Sequence, residues 1–332
     1  MKIKIILVAV IFLTLDAYAN IWRVSKDATY LPHFSEIQAA VDGAGIGDTI
    51  YVYPGSYNNV AINKLITIIG SGYFHVENAK DSLTRITTDI NIHEINFKKG
   101  SDYSCLIGLS MLNTNNCSGG VFCDSTSNLT FKGNRITSLY FRNSNLININ
   151  RNYITGHISG NSYYGCTNDI ISGNNAKNII LSNNIILSSI SFDTNSDVSI
   201  KNNYIGGDIN VTNSMLENNI LMGQNFAIST SWEQYNIFKT ACNYSTLSNS
   251  SFYSTYAEVY PVTPIADNYQ LSNTSVAKGK GVGGIDLGPF GGNNPYRLSG
   301  VIDIPSIISL YAEPQVSSES GLNIRVKVKG NR

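Results

Sequence analysis

One pattern limits this chain more than any other: an asparagine that returns at short intervals between runs of alternating apolar and polar residues. Aligned on it, the text reads LTFKGNRITSLYF (129–141), ININRNYITGHIS (147–159), IILSNNIILSSIS (179–191), VSIKNNYIGGDIN (198–210) and SMLENNILMGQNF (214–226). The aligned residues are Asn134, Asn152, Asn184, Asn203 and Asn219, at intervals of 18, 32, 19 and 16 residues. The long interval reads as two turns of 16, with a degraded copy, DIISGNNA (169–176), inside it. A unit this short has no room for the two helices of most helical repeats, and the period of two specifies strands. A single coil of strands, each turn stacked on the last, pairs every backbone group with the turns above and below. The sequence therefore predicts an all-β parallel solenoid, with Ile200, Ile205, Ile209 and Val211 pointing inward. The asparagine is then a corner residue. It tolerates unusual backbone angles, and its amide can bond the same amide one turn away as a ladder.

Composition narrows the partners. Charged residues are 14% of the 332, Lys plus Arg and Asp plus Glu are 23 each, and the formal net charge is zero. A nucleic-acid partner needs a clustered basic surface, which this balance does not supply. The basic run from Arg325 (RVKVKGNR) reads as a solvated strand end. At the other end, Lys2 and Lys4 precede IILVAVIFLTL, and Ala17 to Ala19 give the small-x-small rule of a cleavage site. Residues 1–19 thus read as an export signal, with the mature chain starting near Asn20. The apolar run is short for a membrane span and ends at Asp16, so the processed protein is expected to be exported and not transmembrane. Export makes the odd set Cys105, Cys117, Cys123, Cys166 and Cys242 worth reading. They show no zinc spacing; Cys117 and Cys123 either form a local bridge or sit as small buried apolar residues.

The flanks have their own signals. Ser35 and Gln38 fit a capping box, and Ile37, Ala40 and Val41 make one apolar face of a short helix that would cover the open end of the coil. Thr49 to Tyr53 is expected as the first rung strand, with Ile50 and Val52 inward and Pro54-Gly55 turning it. From about Gly223 the periodicity fades, so 223–268 reads as loops and partial rungs. After Pro305, SIISLYA and LNIRVKV are two strand-like runs around a loop.

Two segments carry a family likeness. FSEIQAAVDGAGIGDTIYVYPGSYNNVAINKLITIIGSGY (34–73), with S-x-I-Q-x-A, G-D-x-I-x-V and P-G-x-Y, resembles the opening of pectin-lyase-like right-handed parallel β-helix proteins. YQLSNTSVAKGKGVGGIDLGPFGG (269–292) resembles the closing segment of exported bacterial members of that group. The resemblance implies a right-handed parallel β-helix over 20–295, a short N-terminal capping helix, and a C-terminal cap or small β tail over 296–332. It specifies no single function, because the group includes lyases, hydrolases, esterases, tailspikes and adhesins.

Candidate chemistry is sparse. Lyases of the group commonly use calcium with an Arg or Lys base, and hydrolases clustered aspartates. This chain has no Asp-Asp pair and no Arg-x-Pro-x-x-Arg motif. Five residues past the corner lie His157, Ser189 and Asp208; at roughly 4.8 Å per turn, His157 and Asp208 stand about 14 Å apart, beyond the reach of a dyad. DTNSD places Asp193, Asn195 and Asp197 at the spacing that opens a calcium loop, but Val198 and Tyr204 stand where its glycine and glutamate belong; a polar turn is the alternative. For a glycan, the position just after the corner should face outward, and it holds Arg135, Tyr153, Ile185, Tyr204 and Ile220. Tyr153 and Tyr204 would stack on sugar rings, with Asp208 across the Gly206-Gly207 bend, where small glycines leave room for a ligand. The expected function is polysaccharide binding or association; the alternatives are a polysaccharide lyase or glycoside hydrolase, and a structural or adhesive surface protein.

Overall fold

A computed structural model describes residues 19–72, 90–92, 94–111, 120–155, 169–241, 247, 250–261, 269–297, 306–312 and 324–329. The alternating runs form short strands that the chain lays down in rotation on three parallel sheets. Among the described residues, sheet I has 10 strands from Ile21–Val24 to Trp232–Gln234, sheet II has 7 from Arg135–Ile136 to Phe252–Ser254, and sheet III has 8 from Val60–Ile62 to Phe226–Ser229. One turn shows the rule: Thr130–Lys132 lies in sheet I, Arg135–Ile136 in sheet II and Leu139–Arg142 in sheet III, after which Asn145–Asn150 returns to sheet I. Parallel neighbours need a long crossover, and here the rest of the turn supplies it. The chain is all-β, and this connectivity is compatible with a parallel β-helix.

The inward positions stack in register. Ile149, Leu181, Ile200 and Leu216 are successive partners in sheet I and are fully buried. Ile205, Ile209 and Val211 are buried as expected. In sheet III the rings of Phe141 and Phe192 stack at 6.4 Å, with Gly173 between them in the register.

At the corner two residues divide the work. The first is left-handed: Gly133, Arg151, Asn183, Asn202, Asn218 and Tyr235 have φ of 62, 56, 54, 53, 59 and 51°. The second is the ladder. Asn134, Asn152, Asn184, Asn203 and Asn219 each donate from Nδ2 to Oδ1 of the next, at 3.0, 3.1, 3.0, 3.2 and 2.9 Å, ending on Asn236. The same Oδ1 accepts the backbone N–H of the preceding ladder residue at 2.8–2.9 Å. A second bond from Asn203 Nδ2 reaches the Leu181 carbonyl at 2.9 Å, inside the coil. Asn202-Asn203 is thus one bend residue followed by one buried bonding residue.

Several expectations change. The 32-residue interval is one turn, because Asn145–Asn150 pairs directly with Lys177–Ser182; DIISGNNA supplies the sheet III strand Asp169–Asn174 of that same turn. The excess length lies in 156–168, outside the described residues. Regular turns also continue past Gly223 through Phe226–Ser229, Trp232–Gln234 and Ile237–Lys239, with Asn236 a sixth ladder member. The first strand of sheet I is Ile21–Val24, ahead of Thr49–Val52. The helix Ile37–Gly43 does bury Ile37, Ala40 and Val41, but no capping box forms: its N-cap is Glu36. Gln38 instead accepts from Ala61 N–H at 2.7 Å and donates to Ala61 O at 3.3 Å, tying the helix to Val60–Ile62.

The tail runs Ser306–Ala312 and Ile324–Lys329 form an antiparallel pair, with Arg325 and Lys327 exposed. Among the described residues no helix is long and apolar enough to cross a membrane. Cys105 and Cys123 are free thiols, and burial pushes the Cys123 thiol up. Residues 1–18, Cys117, His157, Cys166 and Cys242 lie outside the described residues.

Asn203→Leu should cost about 3 kcal/mol or more, since each buried partner stranded by the lost amide costs about 1–3 kcal/mol. Chemical denaturation measures it. An unchanged midpoint would mean the ladder does not hold the fold.

Candidate functional site

Sheet II has two apolar faces. Ile154, Ile186, Ile205, Leu221 and Phe238 pack inside the coil, while Tyr153, Ile185, Tyr204, Ile220 and Ile237 form a second cluster outside it. The outer residues are register partners in one column, as the sequence predicts. The expected exposure fails, however. Val259, Tyr260, Ala277, Leu287 and Tyr296 cover the column, and Tyr153 and Tyr204 are each only 6% exposed. The Tyr204 ring lies 4.4 Å from Tyr269 and 5.9 Å from Tyr260, and burial pushes its phenol well up. Neither tyrosine has a ring face open to a sugar.

The Gly206-Gly207 bend holds no ligand space either. A Cβ on Gly207 would stand 2.3 Å from the Ser188 carbonyl carbon, so the glycine admits the backbone of the adjacent turn. Asp208 closes the next turn: Oδ1 accepts the N–H groups of Gln224 and Asn225 at 2.9 and 3.0 Å, and Oδ2 accepts the Asn225 amide at 2.7 Å. Burial would raise its pKa; these donors more than offset that and hold it below the usual range.

The DTNSD carboxylates are likewise engaged across turns. Asp193 accepts the Asn175 N–H at 3.0 Å and the Ser196 hydroxyl; Asp197 accepts the Asn178 N–H; and the Asn195 carbonyl accepts from Lys177 Nζ. They join the turn to its neighbour. Among the described residues no group of three or more His, Cys, Asp or Glu side chains could hold a metal.

The outer face of sheet III is different. Asn96, Phe122, Tyr140, Ser172, Ser191 and Asn210 are successive partners in one column across the strands. Phe122 and Tyr140 are partly exposed and stacked, with centroids 4.4 Å apart and planes 9° from parallel. Burial on one side pushes the Tyr140 phenol up. Two residues along, Arg142 forks onto Asp124, with Nε to Oδ1 at 3.0 Å and Nη2 to Oδ2. That bond holds the Asp124 carboxyl below its usual range, so it stays ionised and suits recognition better than acid catalysis. Glu94 accepts from the Asn96 amide at the near end of the column.

The sheet III strands Gly120–Asp124 and Asp169–Asn174 lie on either side of Leu139–Arg142. The sequence carried a signal for this pair: Phe122 and Tyr140 are 18 residues apart, the same interval as Asn134 and Asn152. No protein-family model matches the chain, and no curated protein matches it.

The covered column sets an expectation. Replacing Tyr153 and Tyr204 together by Ser should destabilise the protein by roughly 3 kcal/mol or more, because each deletion opens a cavity under the covering segment. Limited proteolysis should then cut within 269–297 faster than in the wild type. A double variant that melts like the wild type would contradict the burial.

Proposed function

We propose that this chain is an exported right-handed parallel β-helix protein of the pectin-lyase-like kind that binds polysaccharide along the outer face of sheet III. The single observation that carries the reading is the stacked, partly exposed Phe122–Tyr140 pair, aligned with a polar column and flanked by Asp124–Arg142. Sugar C–H faces stack on aromatic rings, and hydroxyls take hydrogen bonds from amide and charged neighbours. The column crosses the strands at about 4.8 Å per step, so an extended glycan would lie along the coil axis. Right-handedness follows from the general rule for parallel crossovers, and export from the Lys2, Lys4 and Ala17 to Ala19 signal.

The test is retention of purified protein on immobilised acidic and neutral polysaccharides, with chain cleavage scored in the same samples. The double variant Phe122→Ala, Tyr140→Ala should lose about tenfold or more in retention while remaining folded. Equal retention by the folded variant would remove sheet III as the binding face. Cleavage by the wild type would replace binding with lyase or hydrolase activity.

A further inference from the structure

The tail strands Ser306–Ala312 and Ile324–Lys329 sort their residues by chemistry. The register sets Ile307 opposite Val328, Leu310 opposite Val326 and Ala312 opposite Ile324; Ser309 is opposite Lys327, and Tyr311 opposite Arg325. Directly opposed positions share one side of an antiparallel pair, so one face of this hairpin is apolar throughout and the other is polar and basic. In a regular strand positions 307 and 310 would fall on opposite faces. Here the register shifts by one residue between Ile307 and Ser309, and that bulge puts both positions on the apolar face.

Both faces of the second strand are open. Ile324, Val326 and Val328 are 53, 50 and 55% exposed, and Arg325 and Lys327 between them are exposed as well. A two-stranded hairpin is marginal in water by itself and gains stability when its apolar face lies against another layer. Charge indicates which layer. The two strands hold Arg325, Lys327 and Lys329 and no acid, in a chain whose formal net charge is zero; Arg332 follows, and Glu313 and Glu319 lie in the connection. An element with an apolar side and a cationic side fits the boundary of an anionic bilayer. Apolar side chains enter the acyl edge, while the long Arg and Lys stems keep their charges near the headgroups, within the ~8 Å over which salt leaves them effective. A second copy fits less well: the face is about 20 Å long and two strands wide, so two of them bury less than the ~1,200 Å² at the low end of specific interfaces. A soluble polyanion would pair with the cations but leave Ile324, Val326 and Val328 in water.

We propose that the tail hairpin docks the protein onto an anionic lipid surface, with Ile324, Val326 and Val328 toward the acyl boundary and Arg325 and Lys327 serving the headgroup phosphates. The attachment is peripheral and reversible, and it does not depend on the sheet III face.

Co-sedimentation with vesicles tests the assignment, using the chain from Asn20, the mature form of the export reading, so that the apolar run of residues 5–15 does not contribute. Vesicles of equal parts phosphatidylglycerol and phosphatidylcholine should take up at least about tenfold more protein at low salt than phosphatidylcholine alone, and about 0.5 M salt should release it. Arg325→Gln with Lys327→Gln, at exposed positions, should lower the uptake about tenfold without altering the melting temperature. Val326→Thr with Val328→Thr keeps two β-branched side chains of the same shape, so the strand persists while uptake falls about tenfold as well. No sedimentation with the anionic vesicles, equal sedimentation with the neutral ones, or uptake that survives both double substitutions overturns the proposal. So does a concentration-dependent dimer in analytical ultracentrifugation that the threonine variant dissolves, which would place a second copy on the apolar face. Polysaccharide retention through Phe122 and Tyr140 should be unchanged in both variants, so the two readings fail independently.

Discussion

The buried asparagine ladder is the interaction on which everything else hangs. A two-residue bend between strands leaves backbone groups of the coil interior without strand partners, and a buried unpaired amide or carbonyl is costly. One side chain solves this at every turn: its Oδ1 accepts from the turn before it, and its Nδ2 reaches both the next amide and the interior carbonyl, as Asn203 does with Asn219 and Leu181. Each ladder residue also fixes its predecessor. That predecessor must be left-handed, and its side chain must point outward, where Arg151, Asn183 and Asn218 hold the covering segment. The same bend therefore builds the core, the seam and the cover.

Much of this was legible in the chain because the physics is local and periodic. Alternation fixes which residues face inward, and Ile200, Ile205 and Val211 follow it to full burial. The asparagine spacing fixes the stacking. Insertions defeated the count at the long interval: spacing alone cannot distinguish two turns of 16 from one turn of 32 with a long excursion, and only the pairing of Asn145–Asn150 with Lys177–Ser182 decides it. Asn236 falls outside the alignment because Glu233 stands at the interior position where earlier turns carry phenylalanine, leucine or isoleucine.

The misplaced site has a physical cause as well. Outward orientation was read as exposure, yet the column that carries Tyr153 and Tyr204 also carries Ile185, Ile220 and Ile237. Isoleucine on the outside of a coil asks for a cover, and strands with two apolar faces are the mark of a sheet buried on both sides. Sheet III gives the opposite pattern. Its outer column is Asn, Phe, Tyr, Ser, Ser and Asn, too polar to require covering and interrupted by one aromatic pair, which is where recognition by stacking is affordable without burying a large apolar patch.

A coil that stacks identical corners has no internal reason to stop, so its ends must be made unlike its middle. At the start, the helix Ile37–Gly43 places Ile37, Ala40 and Val41 against the core. At the last described strand of sheet I, Trp232–Gln234, an acidic residue takes the interior position. The interior column Ile149, Leu181, Ile200 and Leu216 is followed by Glu233, 2% exposed, in the register position where another apolar residue would extend it. Its carboxylate accepts from the Asn236 amide at 3.2 Å and from the Ser251 hydroxyl, and Ser251 Oγ in turn accepts the Asn236 N–H at 3.0 Å. The last rung thus exchanges an asparagine partner for a serine and an inward-pointing acid. In sheet II one more strand, Phe252–Ser254, stacks on Ile237–Lys239, so the acid and the serine ahead of that strand together close the bonding of Asn236 where the described sheet I column stops.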